Sequence, residues 1–219
     1  MQPSLFGFGD LEICADAPTQ RTHLDDDSWV DVAHGWLSGQ MELYDRLSRA
    51  DLWHHGRRPM YGEMVDEPRL SAGMRLSDQR SPAVIRRMAK VLAQRYGVGM
   101  TNLWLNWYRD GNDSVAWHAD RIGRAHKDPP VAIVSLGSER RFLMRPKGGG
   151  ASIAFTPGGG DLLVMGGACQ HNWEHCVPRS KSGGARISVT FRPSTDVVEF
   201  REDWAPGRTR TSARDEPGL

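Results

Sequence analysis

The second half of the chain most constrains its fold. Six short runs with β character follow one another: NLWLNWY (102–108), VAIVSLG (131–137), RFLMR (141–145), ASIAF (151–155), DLLVM (161–165) and ARISVTFR (185–192). Glycine-rich turns such as PKGGG and TPGGG separate them. Short strands broken by such turns predict an all-β core. A helical block precedes them. Ser81 as N-cap, Pro82 in the first turn and Gly97 as terminator predict a helix over Ser81–Tyr96, with Val84, Ile85, Met88, Val91 and Leu92 as its apolar stripe. A second amphipathic helix is expected over Gly35–Ala50, and residues 54–70 read as hairpin or loop because Pro59, Gly62 and Pro68 interrupt them. The expected class is α+β, mainly β: a double-sheeted core braced by N-terminal helices. Residues 1–30 read as an irregular lead-in, and the polar stretch 201–219 as a disordered tail.

Bulk properties exclude several classes. No run of about 18 apolar residues exists, and the first residues carry neither a basic start nor a long apolar core. Neither a membrane span nor a signal peptide is expected. Three cysteines (Cys14, Cys169 and Cys176) are too few for a disulfide scaffold, so a cytoplasmic location is expected. A net charge of +1 gives no global pull on nucleic acid; such binding needs a local basic patch.

Side chains alternate along a strand. In ARISVTFR, Ile187, Val189 and Phe191 share one face, and Arg186, Ser188, Thr190 and Arg192 the other. That polar face is either solvated or the lining of an interior pocket in which two guanidiniums grip a small dianion. In NLWLNWY, Asn106 and Tyr108 share a face opposite Leu103, Leu105 and Trp107, and an amide beside a phenol suits the same anion site.

WHAD, residues 117–120, places His118 and Asp120 two apart, hence on one face. Two histidines and one carboxylate, leaving three positions open, form the metal set of non-haem iron(II) oxygenases. The third ligand must come from elsewhere. GGACQHNWEHCVPR (166–179) offers Cys169, His171, His175 and Cys176. A zinc site from these four is an alternative, although their spacing differs from the separated ligand pairs of structural zinc sites.

Asn106-x-Tyr108, His118-x-Asp120, His175, then Arg186 and Arg192 occur in that order. Here the chain resembles the AlkB family of iron(II)- and 2-oxoglutarate-dependent dioxygenases. The likeness rests on NWY, HAD, WEHCVPR and RISVTFR, and on YRDGNDSVAWHAD, PPVAIVSLGSERRFLMR and GDLLVMGG between them; it covers roughly residues 55–193. The resemblance implies a double-stranded β-helix (jelly roll) over about 100–193, within a dioxygenase domain of 31–200, with a nucleotide-recognition lid at about 54–75. It implies His118, Asp120 and His175 as iron ligands. Asn106, Tyr108, Arg186 and Arg192 would hold 2-oxoglutarate, with O2 as the other co-substrate. His171 matches no ligand position. The implied activity is oxidative demethylation of N-alkylated bases in DNA, with RNA as a further candidate, releasing formaldehyde and succinate, by a monomer.

An enzyme acting on a base takes it out of the stack and holds it against apolar or aromatic groups. Tyr61, before Gly62, is a candidate stacking finger; Arg69, in EPRLSAG, matches a family position near the substrate, and Trp117 and Ile122 complete the candidate substrate contacts. Arg57, Arg58, Arg121, Arg124, Lys127, Arg140, Arg141, Arg145 and Lys147 are candidate phosphate contacts. One departure stands out. Base-repairing members often carry an acidic residue two positions after H-x-D, and this chain has Ile122. That keeps a related dioxygenase acting on a tRNA or protein as the second reading. A non-catalytic β-barrel binding module is the third, and the intact triad argues against it.

Overall fold

The structure is a computed structural model and describes residues 10–60, 63–78, 81–120 and 127–193. Its elements are β1 (Glu12–Ile13), β2 (Gln20–His23), β3 (Ser28–Ala33), β4 (Leu37–Ser38), α1 (Gln40–Ser48), β5 (His54–Met60), β6 (Glu63–Arg75), α2 (Ala83–Tyr96), β7 (Met100–Tyr108), β8 (Val115–His118), β9 (Val131–Gly137), β10 (Phe142–Pro146), β11 (Ile153–Phe155), β12 (Leu162–Gly167), α3 (Cys169–Asn172), β13 (Trp173–Val177) and β14 (Arg186–Pro193). A major sheet runs in the order β2-β3-β12-β9-β14-β7-β6-β5, a minor sheet in the order β11-β10-β13-β8, and β1 pairs with β4. The expected double-sheeted jelly roll with N-terminal helices is thus present.

Burial on both faces explains why the central strands read as near-continuous apolar runs. In β9, Ala132, Val134 and Leu136 face the helices, packing with Leu43 and Leu47 of α1, Ile85, Met88 and Leu92 of α2, and Ile187, Val189 and Phe191 of β14. Val131 and Ile133 face the minor sheet, joining Tyr108, Phe142, Met144, Leu163, Met165, Trp173 and Val177. Each fully buried Leu, Ile or Phe side chain contributes roughly 1.5–3 kcal/mol relative to exposure. The helices hold one face of the major sheet dry, and the other face is free to build a cavity against the minor sheet.

Three expectations need correction. The stretch read as an irregular lead-in contains β2 and β3, and β3 pairs with β12 along six residues, Ser28–Gly167 through Ala33–Leu162. Its polar neighbours (TQRTHLDDDS) hid it, because β2 is an edge strand and largely exposed. The helix expected over 35–50 is only Gln40–Ser48; Gly39 sits at φ 60 before it, and Leu37–Ser38 is spent on pairing with β1. Ser81 does not cap α2: Pro82 occupies that position without a side-chain cap bond, whereas Gly97 terminates the helix at φ 69 as expected. Residues 54–70, expected as hairpin or loop, are a hairpin of β5 and β6, and β6 continues through Pro68 to Arg75. Pro68 is tolerated where the β5–β6 register shifts and before the β6–β7 ladder begins at Leu70. Tyr61, Ile122, Arg121, Arg124, the side chain of Arg58 and the tail 201–219 lie outside the described residues.

Candidate active site

The polar face of β14 is not solvated. Arg186, Ser188 and Thr190 are 1%, 4% and 4% exposed, which settles the choice for an interior cavity. Register explains the clustering. Arg186 pairs with Tyr108, Ser188 with Asn106 and Thr190 with Trp104 on β7, while β9 sets Ser135 against Ser188 on the other side. Three adjacent strands therefore turn polar side chains toward the minor sheet at one level. The cavity is lined by these groups, Ser135 excepted, and by Arg69, His118, Asp120, Phe142, His175 and Arg192.

At its floor, the Arg186 guanidinium donates to Ser135 Oγ at 2.9 Å and lies 5.6 Å from the Tyr108 ring centre. Arg186 Nε has no hydrogen-bond partner among the described residues. Burial pushes the Arg186 guanidinium below its ordinary value, offset in part by Tyr108. Burial pushes the Tyr108 phenol up despite Arg186, Arg69 and Arg140 nearby, so it stays a protonated donor at neutral pH. A fully buried cation without a carboxylate, beside a phenol, suits an incoming carboxylate. Nearer the mouth, Asn106 Oδ1 accepts from Arg69 Nε at 2.9 Å and Trp104 Nε1 at 3.2 Å.

His118 and His175 face each other as register partners of β8 and β13, with ring centres 4.3 Å apart. A register shift between Val115 and His118 turns both inward. Asp120 lies past the end of β8, so it does not share a strand face with His118 as the spacing suggested. Its carboxylate nevertheless joins them: donor atoms of His118, Asp120 and His175 all lie within 4.8 Å of one another. Donors bound at adjacent positions of one ion at about 2.0–2.2 Å sit roughly 3 Å apart, so these side chains would draw together around a metal. His118 fits the role further. Its Nδ1–H donates to Ala116 O at 2.9 Å in the tautomer that leaves Nε2 free for a metal. Burial pushes His175 down to about 3, against the pull of Asp120, so its imidazole is neutral. Burial acts to raise Asp120, but Arg192, His175 and His118 outweigh it and hold the carboxyl below its usual range. Arg192 contacts Asp120 directly. The donor set thus fits a divalent metal with a carboxylate ligand.

The other candidates fall out differently. Among the described residues the His118–Asp120–His175 group is the one cluster with metal-ligand geometry, so the zinc alternative around Cys169 has no support. Cys169 is buried and its thiol contacts Trp29 O, and His171 Nε2 lies 2.8 Å from Lys127 O. Arg69 lines the cavity, but Trp117 does not: it lies under the Arg145 guanidinium, 4.1 Å from its ring centre, while His118 faces the cavity. Several presumed phosphate contacts already have partners within the protein. Arg140 is 2% exposed and donates to the carbonyls of Asp110, Asp113 and Pro178. Arg145 pairs with Glu174 at 2.5 Å, Lys147 bonds to Gln170 O, and Arg57 pairs with Asp66. Among the residues that build the site, Trp104 and Ser135 were missed. Trp104 lines the cavity and Ser135 holds Arg186, and Trp104 was legible because it shares strand parity with Asn106 and Tyr108.

Comparison with known proteins agrees with this geometry. Residues 52–192 match the 2OG-Fe(II) oxygenase superfamily. The Arabidopsis thaliana protein named DNA oxidative demethylase ALKBH2 is 35% identical over 120 residues, 44% of this chain and 38% of its own length. The human alpha-ketoglutarate-dependent dioxygenase alkB homolog 3 is 33% identical over 119 residues, 50% of this chain and 42% of its own. The chain thus spans about two fifths of the length of these relatives. Human DNA oxidative demethylase ALKBH2 aligns over 81% of both chains at 25% identity. The structure of OsALKBH1 superposes with a TM-score of 0.61 at 16% identity, covering 80% of this chain and all of that one, a likeness of fold. The chain belongs to the 2OG-Fe(II) oxygenase superfamily and, within it, to the AlkB family of dioxygenases, which use Fe(II), 2-oxoglutarate and O2.

Proposed function

We propose that this protein removes N-alkyl groups from bases in DNA by oxidative demethylation, with RNA as a further substrate. 2-Oxoglutarate, O2 and the N-methyl base give succinate, CO2, formaldehyde and the unmodified base. In this reading His118, Asp120 and His175 bind Fe(II), which supplies the oxidising chemistry at the N-alkyl carbon. Arg186, with the neutral Tyr108 hydroxyl, binds the far carboxylate of 2-oxoglutarate. Arg192, already against Asp120, turns to the carboxylate beside the keto group. Asn106 shares the co-substrate site and is itself fixed by Arg69 and Trp104.

The observation that carries the reading is the pairing of two incomplete sites in one cavity. A buried guanidinium lacks a carboxylate, and a His-Asp-His cluster faces the same space. The mouth holds Trp104 and Arg69, an aromatic and a cation suited to a flipped base. The β5–β6 hairpin serves as the substrate lid, and Tyr61, between its strands in sequence, as the stacking finger. Three free cysteines suit a cytoplasmic setting, and no helix among the described residues is long and apolar enough to cross a membrane.

Ile122 favours a second reading, a dioxygenase acting on a tRNA or a protein side chain, because isoleucine cannot accept from the amino group of a cationic methylated base. The test uses Fe(II), ascorbate, 2-oxoglutarate and a short oligonucleotide carrying 1-methyladenine or 3-methylcytosine, followed by mass. Loss of one CH2 per modified base, dependent on 2-oxoglutarate, is expected. An unchanged mass with succinate still forming overturns the base reading and favours the second.

A further inference from the structure

The three proposed metal ligands are not held in the same way. His118 and His175 are register partners in the minor sheet, so the ladder itself fixes them. Asp120 has no such support, because β8 ends at His118. Its backbone N–H instead donates to the side chain of Gln170, with Oε1 at 2.9 Å. Both partners are buried, Asp120 at 8% exposure and Gln170 at 3%.

Gln170 is in turn fixed from several sides. It sits in α3, the single turn between β12 and β13, five residues before His175. Its carbonyl accepts from Lys147 Nζ at 2.9 Å, and its Nε2 lies 3.7 Å from Met165 Sδ. The turn that delivers it depends on two glycines. A Cβ on Gly166 would stand 2.1 Å from the Trp29 ring, and one on Gly167, at φ 61, would stand 2.0 Å from Asp27 O. The sequence GGACQ thus brings α3 tight against β3 and aims an amide oxygen at the Asp120 backbone.

We propose that Gln170 is the positioning residue for Asp120. It couples the α3 turn to the carboxylate ligand, so that the metal-binding geometry is set by a side-chain amide where the sheet no longer reaches. The inference rests on Asp120 being a metal ligand. The role is positional, since Gln170 has no place in the cavity lining. Hydrogen-bonded partners of this kind hold metal ligands in place, and removing one typically lowers metal affinity by about 10- to 100-fold.

The experiment measures Mn(II) affinity of the full chain, as a non-turnover stand-in for Fe(II), together with hydrogen exchange at the Asp120 amide and thermal stability. Gln170→Met keeps side-chain volume and removes the amide acceptor. It is expected to weaken Mn(II) binding at least tenfold and to speed Asp120 amide exchange, with a melting temperature close to wild type. Gln170→Glu keeps an acceptor and is expected to hold the Asp120 amide protected as in wild type. A purely structural residue would lower the melting temperature and leave the affinity of the folded protein alone. Mn(II) affinity within twofold of wild type in Gln170→Met overturns the inference. If Gln170→Met does not fold, the amide decides: rapid exchange at Asp120 in folded wild type or in Gln170→Glu overturns it, and protection in both supports it. Asp120→Ala separates the two levels. Loss of Mn(II) binding there with none in Gln170→Met leaves the ligand reading standing, whereas undiminished binding in Asp120→Ala removes the ligand reading and this inference together.

Discussion

Replacing Arg186 by methionine separates the binding account from a structural one. Arg186 is 1% exposed, and its charge is balanced by no carboxylate among the described residues, only by a neutral bond to Ser135 and a neighbouring phenol. A core arginine kept for stability would be paired; this one is desolvated and waiting. Without ligand, Arg186→Met relieves a buried charge and fills similar volume, so the melting temperature should stay level or rise. With ligand, the variant leaves a carboxylate buried and unpaired, at a cost of about 3–5 kcal/mol. That weakens 2-oxoglutarate binding by roughly two to four orders of magnitude. The assay is thermal unfolding in saturating Mn(II), with and without 2-oxoglutarate at about 100 times the wild-type Kd. Wild type should gain about 2.7 kcal/mol. At about 2–4 °C per kcal/mol for a chain of this size, that is a rise of about 5–11 °C. Arg186→Met should gain under about 0.5 kcal/mol, about 1–2 °C. A variant that keeps the full ligand-induced rise, or that melts far below wild type without ligand, refutes the reasoning.

Other outcomes follow from the same geometry. Alkylation of the native protein at pH 8 should label Cys14, which is exposed, well before Cys169 and Cys176, which are buried with thiols pushed up by burial, Cys169 to about 11; equal labelling rates would contradict this. Burial acts to raise Asp113, but bonds from the Arg109 side chain and backbone outweigh it and depress its carboxyl. Its contribution to stability is therefore present above the unfolded value of about 3.9 and lost as pH falls through the lower folded value. Asp113→Asn should then be less stable than wild type at pH 7 and should show a shallower loss on acidification, read by melting temperature between pH 7 and 3. Phe191, fully buried between β14 and the helices, should cost about 3–5 kcal/mol on truncation to Ala, measured by denaturant unfolding.

Much of the site was legible because strand parity carries it. Arg186, Ser188 and Thr190 alternate with Ile187, Val189 and Phe191, and Asn106 and Tyr108 alternate with Leu105 and Trp107, so a one-dimensional pattern already sorted the cavity face from the helix face. What parity could not say is whether a polar face is wet, because that depends on a second sheet lying over it. It also failed at Asp120, where the strand stops after His118 and a side-chain bond from Gln170 replaces the ladder. Charge was the poorest guide. Arg140 and Arg145 read as surface cations, yet one clamps three carbonyls in the interior and the other pairs with Glu174 across the minor sheet. β2 was hidden by its polar composition and β3 by the polar residues before it, and the place of β3 between β12 and β2 is what gives both their partners.

The most direct measurement of the central claim is a crystal structure grown with Mn(II) and 2-oxoglutarate, with the metal located by its anomalous signal. The account predicts one metal peak bonded to His118, Asp120 and His175, the far carboxylate on Arg186 and Tyr108, and Arg192 turned from Asp120 toward the second carboxylate. A metal peak elsewhere, at Cys169 and His171 for instance, or 2-oxoglutarate bound away from Arg186, would contradict it.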